Sequence, residues 1–301
     1  MSPSPGSLGE SFVKQVAVGK PAVLILAGRS ISKLQGLIEE LNTLYPTVIV
    51  KSLALNLLSF ADVRKAAETL NSWADVPHVD VLVNNAGIMA VPYQLTEDGF
   101  ESQFQTNHLS HFLFTNLIMD KILASKAPRV VHVSSGVHRI GHIRWTDYNF
   151  NEGKHYQRWL SYGQSKTANA LTALALAERL GPRGVLSFAL CPGVILTNLA
   201  AHGLDDRDSF AADLTSMDNV YGNKSLWGMA DMKFKTLDQG AATHVFASFD
   251  NGIREHNGSF LSDCHVADQN LEEVYSWATS KVDAERLWNL SEKLVGQEFT
   301  F

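Results

Sequence analysis

Only two cysteines, Cys191 and Cys264, occur in 301 residues, so no disulfide framework is available and a reducing compartment, by default the cytoplasm, is expected. No apolar run approaches the roughly 20 residues of a membrane-spanning helix. An excess of basic charge is missing too. The 25 Lys and Arg stand against 31 Asp and Glu, and a net charge of −6 argues against nucleic acid or an anionic membrane as the main partner. The beginning carries no basic-then-apolar signal segment, and Glu298-Phe299-Thr300-Phe301 is no retrieval or peroxisomal tag. With no Pro/Gly/Ser linker, repeat or low-complexity tract, one domain over 1–301 is the expectation.

What is there is an ordinary globular composition, 45% hydrophobic and 19% charged, with ample material for a large core. After a loop-like MSPSPGSLG, residues 11–18 suit a short helix, and Val23 to Ala27 is a continuous apolar run suited to a strand buried on both faces. Helical spacing follows over 32–44, a strand over 48–55, a helix over 59–73 and a strand over 79–83. A helix over 107–123, a strand over 129–133, a long helix over 161–180 and a strand over 185–190 come next. Residues 237–249 read as helix, 258–261 as a short strand and 271–294 as a helical tail. Strands alternating with helices in this way imply a doubly wound α/β fold with a parallel sheet. In such sheets ligands bind at the carboxyl ends of the strands. Asn84-Asn85-Ala86-Gly87, Ser134-Ser135 and Pro192-Gly193 all fall at such ends.

Tyr162 and Lys166 are four residues apart on the expected long helix and therefore share one face. A free phenol has a pKa near 10, and a neighbouring ammonium favours the phenolate, bringing the phenol toward neutral pH. The pair can serve as an acid/base unit, although the same spacing also occurs on solvated helix faces.

NNAG at 84–87, TNHLSHF at 106–112, VVHVSSGVH at 130–138, YGQSK at 162–166 and CPGVILTNL at 191–199 together resemble the short-chain dehydrogenase/reductase family, in its retinol-dehydrogenase-like and fungal oxidoreductase branch. The resemblance implies a Rossmann-like single domain and an NAD(P)-dependent oxidoreductase acting on CH–OH groups. It implies that Tyr162 exchanges a proton with the substrate oxygen, Lys166 tunes the phenol and holds the nicotinamide ribose, and Ser135 steadies the substrate oxygen. Asn107 matches the asparagine whose backbone carbonyl, through a water, links Lys166 to a proton relay. Asn84, Ala86 and Gly87 would lie against the adenosine side, Gly87 because a side chain would intrude. Pro192, Gly193, Ile195 and Thr197 match the segment over the nicotinamide amide.

Arg29 and Ser30 end the strand at the place where an acid selects NAD; a guanidinium there suits a 2′-phosphate, so NADP(H) is expected over NAD(H). Asn56-Leu57 stands where the family carries Asp-Leu, and the Asn56 amide oxygen can still accept from an adenine amino group. The front departs more. Gly6-Ser7-Leu8-Gly9 resembles the back half of the glycine-rich turn that receives the pyrophosphate, but the strand and Thr-Gly before it are absent from 1–5. The fold is thus expected to lack its first strand, leaving two interior sheet edges unpaired. An incomplete chain is the favoured explanation.

His108/His111 and His138/His142 have helix-like ligand spacing, but the first pair lies inside TNHLSHF and the second in the segment after Ser135, so both have family explanations and no metal is expected. Trp145, Tyr148, Phe150, Tyr156 and Trp159 lie between Ser135 and Tyr162. Trp227, Met229, Met232 and Phe234 lie in a probable substrate-covering segment over 199–237. Aromatic lining would suit a lipophilic or aromatic alcohol or ketone, unless these rings merely pin long loops. Helix 167–180 is apolar nearly all round, and in the family this helix often meets a second subunit, so a homodimer is expected. Two alternatives stay open: a non-catalytic nucleotide-binding or scaffold protein descended from such an enzyme, and a sugar-nucleotide epimerase.

Overall fold

The computed structural model describes residues 3–199, 207–223, 234–271 and 273–301. Helix α1 (Leu8–Val18) starts at Ser7, whose hydroxyl accepts from the Glu10 amide, as an N-cap should. It leads into β1 (Val23–Gly28), α2 (Gln35–Leu44), β2 (Ile49–Ala54) and α3 (Phe60–Ser72). Next come β3 (Val81–Asn84), α4 (Ser102–Phe104), α5 (Ser110–Leu117), α6 (Met119–Leu123) and β4 (Arg129–Val133). The long α7 (Arg158–Leu180), β5 (Leu186–Cys191), β6 (Val194–Ile195), α8 (Arg207–Val220) and β7 (Phe234–Lys235) follow. The chain ends with α9 (Leu237–Phe249), β8 (Phe260–Ser262), β9 (His265–Val266) and α10 (Lys281–Val295).

The sheet is split. β1 pairs only with β2, in parallel, from Val23↔Ile49 to Gly28↔Ala54. A second sheet runs β3-β4-β5-β8-β9, parallel except for the last pair, and β6 pairs with β7 separately. Among the described residues no strand occupies the second edge of β1 or of β3. Both edges lie inside the molecule, because the two sheets share the same two apolar layers. One layer joins Leu26 of β1 to Val83, Val131 and Phe188 under α1, α2 and α9. The other joins Ala27 and Leu53 to Val130 under α3, α5, α7 and α10. Helices thus bridge a gap that no strand fills, as the absent first strand leads one to expect.

Helix α7 owes its length to an Ala- and Leu-rich run with no proline, started by the Gln157 side chain, which accepts from the Leu160 amide. Its apolar wrap is used within the chain: α10, β4, β5 and the turn 136–140 cover it, and Ala168 through Ala177 are buried. The near-continuous apolar surface of this helix is thus accounted for within the chain, as burial on several sides requires. The tail differs from expectation, since helix begins only at Lys281, capped by Ser280, and 271–280 holds short 3₁₀ turns. The helix expected over 107–123 is interrupted by a π-turn at Gln105–Leu109 and again at Ile118. Among the described residues no helix is long and apolar enough to cross a membrane.

Candidate active site

β4 ends at Val133, and the next two residues are Ser134 and Ser135. Ser134 donates its hydroxyl to the Lys166 carbonyl at 2.7 Å, which docks the strand end on α7. Ser135 caps the 136–140 turn, its hydroxyl accepting from the Val137 amide at 3.2 Å, and the same hydroxyl lies near enough to the Tyr162 phenol to favour its phenolate. Tyr162 is 4% exposed, and Lys166 is buried beside it with Nζ 5.4 Å from the Tyr162 ring centroid. Lys166 Nζ donates to the Val133 carbonyl at 2.9 Å. The four-residue spacing on a real helix thus brings phenol, ammonium and serine hydroxyl together.

The electrostatics correct one expectation. Burial raises the Tyr162 pKa above that of a free phenol, and the nearby Ser135 hydroxyl only partly opposes this. The nearby Lys166 ammonium, which donates to the Val133 carbonyl, does not outweigh that burial. Burial lowers the Lys166 pKa to about 8, so the ammonium still holds its proton at neutral pH.

Asn107 lies in the π-turn and is fully buried. Its side chain accepts from the Ile88 amide and donates to the Ile88 carbonyl, both at 2.9 Å, and donates to Ser165 Oγ at 2.9 Å. It therefore stitches the loop after β3 to α7. Its backbone carbonyl, the atom of the expected relay, faces His111 Nδ1 at 3.0 Å. His111 is neutral near pH 7, its pKa lowered to about 4 by burial, and so leaves one carbonyl lone pair for another donor.

The expected cofactor residues divide into those that fit and those that do not. Arg29 is exposed at the end of β1 with no hydrogen bond or ion pair among the described residues, beside the half-buried Ser30. Ala86, Pro192, Ile195 and Thr197 are half-buried at strand ends, and Gly193 takes a positive φ of +88° that favours glycine. At Gly87 a Cβ would meet Asn107 Oδ1 at 2.9 Å and Lys166 Nζ at 3.6 Å, so a side chain there would crowd both residues.

The Asn84 side chain is buried and donates to Thr115 Oγ1 at 2.9 Å, and the Leu57 side chain is part of the core, so only their backbones are left to meet a cofactor. Asn56 Oδ1 accepts from the Leu58 amide at 3.3 Å, leaving one lone pair. At the front the fit fails. The Glu10 carboxylate accepts from the Gly6 amide at 2.6 Å, so an anion already sits at the start of α1, where a pyrophosphate would need free amides. Leu8 and Ile195 pack so tightly on Gly240 that a Cβ there would lie within 2.8 Å of both. Gly9 is buried at the start of α1.

The profile of the short chain dehydrogenase family matches residues 5–149. Human retinol dehydrogenase 11 is 33% identical over 289 residues, 96% of this chain and 82% of the relative. The chloroplastic short-chain dehydrogenase TIC 32 A of Brassica napus is 33% identical, over 91% of this chain and 81% of its own length. A crystal structure of an uncharacterised Mycobacterium paratuberculosis protein superposes with a TM-score of 0.70 at 31% identity, covering 99% of this chain and 93% of that one. The chain belongs to the short-chain dehydrogenase family. Within it the likeness is to the retinol dehydrogenases, and the family makes it an NAD(P)-dependent oxidoreductase acting on CH–OH groups.

Around Tyr162 this short-chain dehydrogenase places Met89, Ala90, Val137, Ile140, Trp159, Leu214, Met217 and Tyr221, an apolar wall contributed largely by α8 and the 136–140 turn. Of the aromatics expected to line a pocket, among the described residues only Trp159 packs beside Tyr162, 6.3 Å away between ring centroids. The others pin the loop. Tyr148 stacks on Phe104, Arg144 covers Phe150, Arg286 covers Trp145, and the Tyr156 hydroxyl donates to the Val91 carbonyl at 2.7 Å. Trp227, Met229 and Met232 lie outside the described residues, and Phe234 is exposed on β7.

Sequence reasoning also passed over Glu101, which is fully buried. It accepts from the Gln103 and Phe104 amides and from the Ser161 hydroxyl at 2.6 Å, anchoring the residue before Tyr162. A lone acid between Phe100 and Ser102 gives no spacing signal. Among the described residues no three His, Cys, Asp or Glu side chains gather in a metal-like cluster. His108 and His138 are held in hydrogen bonds.

Proposed function

We propose that this short-chain dehydrogenase is an NADP(H)-dependent oxidoreductase interconverting a lipophilic or aromatic alcohol and its carbonyl compound. The observation that carries the reading is the gathering of Ser135, Tyr162 and Lys166 at one end of the sheet, under the apolar cluster that includes Leu214 and Met217. The dinucleotide supplies or accepts hydride when bound. Tyr162 gives or takes the proton at the substrate oxygen, and Ser135 orients that oxygen by hydrogen bonding. Lys166, protonated at neutral pH, stabilises the phenolate once its ammonium turns from the Val133 carbonyl. Asn107 holds the loop at Ile88 against α7 and presents its carbonyl toward the relay. The exposed, unpartnered Arg29 supports NADP(H) over NAD(H). Two free cysteines suit a reducing compartment such as the cytoplasm, and a homodimer would have to use a face other than α7.

Tyr162→Phe tests the assignment. Turnover of a carbonyl probe with NADPH should fall about 10²- to 10⁴-fold while dinucleotide binding barely changes. Equal turnover in mutant and parent would remove Tyr162 from the chemistry. The runner-up, a non-catalytic nucleotide-binding or scaffold protein, draws support from the split sheet and from the Glu10 carboxylate on the Gly6 amide. That reading predicts that the parent turns over no carbonyl probe at all.

A further inference from the structure

The turn that presents Ser135 is held from far along the chain by one buried imidazole. His138 Nδ1 lies 2.7 Å from the Ser135 carbonyl oxygen, and the His138 amide donates to the same oxygen at 3.1 Å. On its other side His138 Nε2 faces the Tyr275 amide nitrogen at 3.2 Å. A peptide N–H can only donate, so Nε2 carries the lone pair and Nδ1 carries the proton. Geometry alone therefore selects the neutral Nδ1–H tautomer, and full burial favours the same neutral form.

The partners on the far side are anchored in turn. The Trp277 indole donates to the His138 carbonyl at 3.0 Å, and the Tyr275 and Trp277 rings meet edge to face at 4.9 Å. The Tyr275 hydroxyl donates to Asn223 Oδ1, just beyond α8, and α8 supplies Leu214 and Met217 to the wall around Tyr162. Ser135, Tyr162 and the cover over them are thus joined through a segment about 140 residues away in sequence.

We infer that His138 is a positioning residue: by clamping the Ser135 carbonyl to the Tyr275 backbone it sets the angle at which the Ser135 hydroxyl meets the Tyr162 phenol. The inference rests on the oxidoreductase reading. Rotation of the peptide after Ser135 would swing the hydroxyl, and a displacement of about 1 Å at such a site costs on the order of 10²-fold in rate. The ring is too deep to touch substrate, so its effect reaches the reaction only through Ser135.

Two substitutions separate the halves of the clamp. In His138→Asn the side-chain amide takes the place of Nδ1 and can still donate to the Ser135 carbonyl. In His138→Gln the amide oxygen takes the place of Nε2 and can still accept from Tyr275, but the Ser135 bond is lost. His138→Gln should lower kcat tenfold or more with KM for carbonyl probe and NADPH within about threefold, and His138→Asn should recover most of that loss. The Tyr162 ¹³Cζ resonance at neutral pH, which reports the placement of the Ser135 hydroxyl beside the phenol without any turnover, should move in the Gln variant and stay near the parent position in the Asn variant. Equal effects of both variants on kcat and on that resonance, or none from either, would overturn the inference. So would ¹⁵N spectra of the unmodified protein placing the His138 proton on Nε2. A parent that shows no turnover speaks against the oxidoreductase reading instead, and the two spectra still decide the clamp.

Discussion

The strands β4 and β1 are built from similar apolar runs, yet one is sealed and the other is open. β4 is paired on both sides, and all five of its residues are buried. β1 is paired on one side, and its first three residues, Val23 to Ile25, are only half-buried; β3, its counterpart across the gap, repeats the pattern at Val81 and Leu82. An apolar face is not enough to bury a strand. The backbone edge must also be covered, because unpaired amides and carbonyls keep water close. Function divides along the same line. Ser135, Tyr162, Lys166 and Asn107 come from the sealed part, with nearly every polar atom partnered, whereas Arg29 and the Gly6–Gly9 turn flank the open part.

The contrast can be broken most forcefully by closing the gap. A chain extended before Ser4 by an apolar strand of about ten residues and a glycine turn should pair with β1 and β3. Burial of about four large side chains at roughly 1.5–3 kcal/mol each would add stability on the order of 10 kcal/mol before the entropy of ordering is subtracted. The extended chain should melt at a higher temperature and shift further with NADPH than the original. Identical melting and an identical NADPH shift in both chains would mean that the open edges carry no penalty.

A smaller effect sharpens the contrast within the existing chain. Leu190→Ala at a fully buried position of β5 should cost about 2–5 kcal/mol in urea unfolding. Leu24→Ala in half-buried β1 should cost only about 1 kcal/mol, since part of its surface already meets water. Equal costs would show that β1 is as tightly packed as β5. The smallest effect concerns Arg29. Binding should favour NADPH over NADH by about tenfold or more, as expected for one charge-assisted phosphate contact, and Arg29→Glu should erase or reverse the preference. Isothermal titration giving equal affinities in the parent removes Arg29 from the site.

The amino-acid order by itself determined the alternation of strands and helices, because apolar runs of strand length and helical spacing are local signals. It also determined the Tyr162–Lys166 pairing, since four residues make one helical turn. Tertiary structure decided what those residues meet. Gly87 is confined by Asn107 and Lys166, Asn84 is turned into the core against Thr115, and α7 is wrapped by α10 rather than left for a partner. It decided the charge balance as well, because desolvation of Tyr162 and the pull of the Val133 carbonyl on Lys166 depend on atoms distant in sequence. Glu101 carries no spacing signal, and the His138/His142 spacing points only to a metal; their roles arise only where Ser161 and Tyr275 are folded onto them, by hydrogen bonds that span 60 and 137 positions of the chain.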